Sequence, residues 1–138
     1  MNNRIFRVET VEGKGIYRGP DWDGVDESGS DSSKHPMPHK DSKLLDENKD
    51  LFYHIGDGEY RCLDYDFVFG FSSIDQLRRW LYNDEWLSGL DRQGFVLSIY
   101  EGDVRHGHTQ AVINKDTAVL VAQHKISDYF KLWQTNFP

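Results

Sequence analysis

The chain has 138 residues, one cysteine (Cys62) and a formal net charge of −7 at pH 7. This length suits one domain spanning residues 1–138, and a single cysteine excludes an internal disulfide. An acidic chain repels the phosphate backbone, so we predict no direct binding to nucleic acid. The sequence has no apolar run as long as a membrane span and no secretory signal, which together predict a cytoplasmic protein without membrane contact.

Short strands are predicted on both sides of an acidic segment. The first strand lies at 4–10, where apolar and charged side chains alternate: Phe6 and Val8 on one face, Arg7 and Glu9 on the other. This alternation predicts a half-buried strand. A second short strand is predicted at 16–19. After the acidic segment, 51–55 and 60–65 are predicted as strands or helical turns around a glycine turn at 56–58.

The acidic segment covers residues 21–50, where nine Asp and Glu residues outnumber four lysines and leave a net charge of −5. We predict a mobile acidic loop at about 21–50, because residues 26–33 have no apolar side chain. The loop is interpreted either as a solvated insertion or as a surface that meets a basic partner. In the second case the contacting side chains would be Asp21, Asp23, Asp26 and Glu27.

A buried type of strand at 67–71 leads directly into a helix start. Ser73 followed by Gln76 matches a capping box, so a helix is predicted from Ser73 to about Tyr82. The junction is interpreted either as an ordinary strand-to-helix connection or as an anion-binding helix terminus.

The second half of the chain alternates between short helices and strands. A short helix is predicted at 84–90, and strands at 94–101, 109–114 and 118–124, with a turn at Lys115-Asp116. These three strands would form an antiparallel meander. Ser127 would cap a last helix at 128–133. The sequence therefore predicts an α+β domain with a mostly antiparallel sheet and two or three short helices.

Two histidine pairs raise the question of a metal site. His35 and His39 are four residues apart, but prolines between them preclude a regular helix. His106 and His108 lie on a glycine-containing turn, and the chain has no HExxH pattern or cysteine partner. We therefore predict no metal site.

Five stretches carry a resemblance to a known family: residues 4–9, 15–19, 69–80, 94–100 and 107–112. Together they resemble a family of small phage and prophage proteins. The resemblance implies an accessory protein in the cytoplasm of a bacterial host. It would bind and inhibit a host defence or regulatory macromolecule, an anti-CRISPR-like role included, through its acidic surface. The partner would be a host protein with a basic or nucleic-acid-binding surface, and no cofactor would be required.

The order of three short motifs is also similar to the ADP-ribosyltransferase fold. They are a strand with Tyr17 and Arg18, the aromatic-serine junction at Phe71 and Ser72, and a late strand with Glu or Gln. This resemblance implies NAD as cofactor. Arg18, or Arg7, would hold the pyrophosphate, Tyr17 would stack on the nicotinamide, and Ser72 would line the ribose pocket. Phe71 would also belong to the cofactor-binding residues, with packing in the core as its alternative.

The catalytic position implied by this resemblance departs from the family. It matches Gln110, which is neutral and cannot stabilise a cationic transition state as a glutamate does. Glu101 would substitute only if the strand register brought it into the same pocket. This departure favours the binding role. An ADP-ribosyltransferase-like enzyme, or a degenerate protein that binds NAD or ADP-ribose, is the alternative.

Overall fold

A computed structural model describes residues 3–15, 41–54, 61–63 and 66–129. The predicted strand at 16–19, the turn at 56–58 and residues 21–40 of the acidic loop lie outside these ranges. The elements, in chain order, are β1 Arg4–Glu9, α1 Ser42–Glu47, β2 Phe52–His54, β3 Arg61–Leu63, β4 Phe67–Gly70, α2 Ile74–Trp80, α3 Asp84–Arg92, β5 Val96–Glu101, β6 Val104–His106, β7 Ala111–Asn114 and β8 Val119–Lys125. A 3-10 turn at Lys49–Leu51 precedes β2. The predicted α+β class is confirmed.

The strands form two three-stranded antiparallel sheets and one two-stranded pair. The first sheet has the order β1-β5-β8, the second has the order β4-β7-β6, and β2 pairs with β3. Phe6 of β1 and Phe71 exchange two backbone hydrogen bonds of 2.8 and 2.9 Å. This bridge joins the two sheets, because β1 belongs to the first sheet and Phe71 follows β4 of the second.

The predicted meander of three strands is wrong, because those strands belong to one long bent hairpin. β5 and β6 form its first arm, and β7 and β8 form its second. Between the two paired regions the first arm has two residues, 102–103, and the second has five, 114–118. The longer arm bends there, so β7 pairs with β4 and β6 while β8 pairs with β5. The predicted turn at Lys115-Asp116 marks this bend.

The helices begin at side-chain caps. The Ser73 hydroxyl accepts a hydrogen bond from the Gln76 backbone N–H at 3.1 Å, which confirms the predicted start of α2. Asn83 caps α3 in the same way. Residues 126–129 are helical, so Ser127 lies inside that turn rather than before it. Residues 130–133 of the predicted last helix lie outside the described ranges.

Apolar side chains pack on both faces of the second sheet. The main cluster joins α2 and α3 to the first sheet, with Leu77 and Leu87 among its buried members. A second cluster includes Ile113, and a third packs α1 against Val112. Adjacent residues of β7 therefore face different clusters, which explains why this strand is buried throughout its apolar part.

The charged face of β1 is also buried, which corrects the prediction of a half-buried strand. Arg7 is 5% exposed and Glu9 is 1% exposed. Arg7 Nε donates to Glu9 Oε1 at 2.9 Å, and another Arg7 N–H donates to the Phe69 carbonyl. The Tyr100 hydroxyl donates to the second Glu9 oxygen. The alternation is present, but both faces of β1 are covered. The second sheet packs on the face of Ile5, Arg7 and Glu9, and the cluster that includes the helices packs on the face of Val8.

Candidate functional site

Two polar side chains meet at one end of the β4-β7-β6 sheet. Gly70, Ala111 and His106 lie side by side in the strand register there. Ser72 comes two residues after Gly70, and its Oγ lies 2.6 Å from His106 Nδ1. The two residues are 34 positions apart in sequence, and both are half-buried. The fold thus places a hydroxyl against an imidazole where solvent reaches both.

Gln76 fixes the backbone on the Ser72 side of this contact. Its side-chain oxygen accepts the Ser72 backbone N–H at 2.7 Å, and its own backbone N–H donates to Ser73. Ser73 therefore supplies the helix cap, while the Ser72 hydroxyl contacts His106.

Asp41 holds the loop that follows His106. Its carboxylate accepts the backbone N–H groups of His108 at 3.0 Å and Thr109 at 3.4 Å, and the Gln110 side-chain amide at 3.3 Å. It also caps α1 by accepting the Leu44 N–H at 3.2 Å. Burial alone would raise the pKa of Asp41, but these hydrogen bonds outweigh it and lower the pKa below 3.8. The loop 107–110 is thus tied to α1.

Gly107 and Trp80 tighten the same loop. A Cβ on Gly107 would lie 2.7 Å from the Asp41 carboxyl carbon, so the close approach requires glycine. On the other side, the Trp80 indole N–H donates to the Thr109 carbonyl at 2.9 Å. The residues next to His106 are therefore held from both α1 and α2.

The sequence-predicted site residues fall into two parts of the structure. Ser72 and Gln110 lie at the same end of the second sheet, and Gln110 is fully buried. Phe71 is 2% exposed and packs in the main hydrophobic cluster. Glu101 belongs to the first sheet, where its carboxylate accepts from Arg4 Nε at 2.7 Å.

Of the remaining predicted residues, the structure describes Arg7. Arg7, the alternative phosphate ligand, is buried against Glu9. The other predicted positions lie outside the described ranges: Tyr17, Arg18, Asp21, Asp23, Asp26 and Glu27. Within residues 3–15, 41–54, 61–63 and 66–129, no three or more His, Cys, Asp or Glu side chains gather as metal ligands would.

His106 and Asp41 are functional candidates that the sequence analysis missed. His106 was interpreted only as half of a histidine pair, and its contact with Ser72 depends on strand pairing. Asp41 falls in the segment predicted as a mobile loop, and this is wrong for Asp41, which is buried and caps α1. A local signal for Asp41 does exist, because an aspartate immediately before an apolar helical stretch is a typical N-cap.

Comparison with models of protein families finds a match over most of the chain. The model of the Bacteriophage T4 Y00F protein family matches residues 1–127 of the 138. The chain belongs to this family. The predicted resemblance to small phage proteins is thereby confirmed, and this family member is a phage protein.

Comparison with the curated proteins gave no match, and comparison with the solved structures gave none either. The resemblance to the ADP-ribosyltransferase fold therefore stays a prediction. In the part of the chain that the structure describes, every helix is too short or too polar to span a lipid bilayer.

Proposed function

We propose that this phage protein binds a basic surface of a host defence or regulatory protein in the bacterial cytoplasm and inhibits it by occupying that surface. An anti-CRISPR-like role is one form of this function. The observation that carries the proposal is the concentration of charge: residues 21–50 hold −5 of the total −7. Such a surface accelerates encounter with a positively charged partner.

Residues 41–50 of this segment are described, and their contacts show which of their charges a partner could meet. Asp46 and Glu47 are exposed on α1. Asp41 is buried by its hydrogen bonds to the 107–110 loop, and Asp50 accepts from Arg105 at 3.2 Å. The contacting charges would therefore be Asp46 and Glu47 together with four residues nearer the start of the segment: Asp21, Asp23, Asp26 and Glu27.

Three contacts favour binding over ADP-ribosyl transfer. Phe71 packs in the core, where it cannot line a ribose pocket. Gln110 is neutral and donates to Asp41. Glu101 is bonded to Arg4 in the other sheet. We expect the proposed binding function to require no NAD and no other cofactor.

The proposal is tested by neutralising the charges that it uses. The variant carries Asp21→Asn, Asp23→Asn, Asp26→Asn and Glu27→Gln, and both proteins are used to capture partners from host extract. We expect the wild type to retain a basic host protein, with an association rate that falls with salt. The Debye length shrinks from about 8 Å at 0.15 M to about 3 Å at 1 M. The variant should associate more slowly and with less salt dependence.

A matched control separates the position of the charge from its total. The control removes the same number of negative charges from exposed positions elsewhere, by Asp75→Asn, Glu85→Gln, Asp116→Asn and Asp128→Asn. This control should bind as the wild type does, and equal loss in both variants would contradict the proposal. A rise in melting temperature with millimolar NAD, abolished by Arg18→Ala, would instead favour the nucleotide-binding alternative.

A further inference from the structure

We propose that Ser72 is a nucleophile activated by His106, and that the pair accepts an acyl group from an activated ester. The Oγ–Nδ1 separation of 2.6 Å is within the range of an activated serine and its base. This chemistry goes beyond the proposed binding role and does not depend on it.

The surroundings of Ser72 distinguish this contact from an ordinary structural hydrogen bond. Helix capping is carried by Ser73, and the Ser72 backbone N–H is held by Gln76. Ser98 provides a comparison, because its hydroxyl accepts from Gln123 and it is completely buried. Ser72 and His106 are instead both partly exposed, as a pair that meets a substrate from solvent must be.

The backbone at His106 and just after it is also held in place from several directions. The pairing of His106 with Ala111 fixes its backbone in the sheet. Asp41 and Trp80 fix the loop that begins with the next residue. Asp41 thus acts as a positioning residue, through the loop rather than on the reacting atoms. Such support holds a nucleophile and base in productive geometry.

The reaction follows from the atoms that meet. With its Nδ1 unprotonated and the other nitrogen carrying the hydrogen, His106 takes the Ser72 proton as Oγ forms a bond to the ester carbonyl carbon. The bond from that carbon to the leaving oxygen breaks, and the proton passes from His106 to the leaving group or to water. Water then attacks the acyl carbon while His106 takes a proton from it. The bond from that carbon to Ser72 Oγ breaks, and Oγ recovers the proton from His106 as the acid is released.

Activated esters are the substrate class that this pair best serves. Their leaving groups have a low pKa and depart without needing a proton. A nucleophile and a base are then sufficient, whereas an amide also requires protonation of its leaving nitrogen.

A fluorophosphonate probe tests the proposal on the full chain. Attack by Ser72 would form an Oγ–phosphorus bond and expel fluoride, while His106 takes the proton. We expect mass spectrometry of the wild type to find the adduct on Ser72 and not on the exposed Ser42 or Ser73. Ser72→Ala should abolish the adduct, and Ser42→Ala should leave the labelling rate unchanged.

His106→Asn separates catalysis from structure. The asparagine oxygen can still accept a hydrogen bond from Ser72 near the former Nδ1 position, but it cannot act as the base. Labelling should therefore fall roughly 100-fold or more while the cooperative melting transition is retained. No adduct on wild-type Ser72, or an equal rate in a folded His106→Asn variant, would overturn the proposal. If Ser72→Ala fails to fold, the wild-type peptide map and the His106→Asn rate decide.

Discussion

Asp41 and Glu9 are two carboxylates, each 1% exposed, that the fold stabilises in different ways. Asp41 accepts hydrogen bonds from neutral donors, which are the backbone N–H groups of two segments and the Gln110 amide. Glu9 accepts from the Arg7 guanidinium and the Tyr100 hydroxyl. The first carboxylate relies on dipoles, and the second relies on a cation and a phenol.

The difference shows what each carboxylate connects. Asp41 joins the start of α1 to the 107–110 loop between β6 and β7, because its hydrogen-bond donors come from both. Glu9 orients Arg7, which reaches the Phe69 carbonyl and so links β1 to β4. Burial, followed by the hydrogen bond to Glu9 and its negative charge, raises the pKa of Tyr100 to about 12. Glu9 thus raises the pKa of a neighbouring residue, whereas the hydrogen bonds to Asp41 lower the pKa of Asp41 itself.

The largest expected effect comes from breaking the charged network. Arg7→Met leaves Glu9 buried without its cation and should lower the free energy of unfolding by about 3–5 kcal/mol. Urea denaturation at pH 7 measures this. Arg4→Met, three residues earlier on β1, removes the exposed pair with Glu101 and should cost about 1 kcal/mol or less. Similar losses of stability in both variants would show that breaking the buried ion pair costs no more than breaking the exposed one.

Removing the dipole-held carboxylate should have the next largest effect. Asp41→Ala deletes the α1 cap and leaves the N–H groups of His108 and Thr109 without their acceptor. We expect a loss of about 2–4 kcal/mol, combining a cap with an unsatisfied buried donor. Asp46→Ala, on the exposed side of α1, is the control and should change stability by about 0.5 kcal/mol or less. A near-neutral Asp41→Ala would mean that the loop finds other acceptors.

The contributions of Asp41 and Tyr100 to stability should be lost at opposite ends of the pH scale. The lowered pKa of Asp41 stabilises the fold above the ordinary value of 3.8, and this contribution is lost as the pH falls below it. The raised pKa of Tyr100 stabilises the fold below the ordinary value of 10.0, and that contribution is lost as the pH rises toward about 12.

Non-titrating variants check both assignments. The stability difference between the wild type and Asp41→Asn should shrink in acid, and the difference between the wild type and Tyr100→Phe should shrink in alkali. If the stability difference stays constant in acid, Asp41 does not contribute to the pH dependence; if it stays constant in alkali, Tyr100 does not.

The smallest expected effect concerns the helix that supports the Ser72 junction. Ser73→Ala removes the cap of α2 and should lower stability by about 0.5–2 kcal/mol. Ser73→Asp, which can also cap, should recover most of the loss. An unchanged urea midpoint in Ser73→Ala would indicate that α2 is held by packing alone.

Several elements follow from the sequence because their causes are local. The cap at Ser73 and the apolar run before it involve neighbours within a few residues, and both are found where predicted. The helix α3 also begins at the predicted Asp84. For 51–55 and 60–65 the sequence left strands and helical turns as alternatives, and the structure has the strands β2 and β3 there. The net charge is a sum over the residues of the chain, so the sequence alone determines it.

The tertiary structure decided the features that join distant residues. The burial of Arg7 and Glu9 depends on the second sheet packing against that face of β1, which no alternation along one strand reveals. The hairpin bend depends on arms of unequal length, and the same strand pairing brings His106 to Ser72. Periodicity reports which side chains share a face of an element, but only the packing of elements determines whether that face meets water or another chain segment.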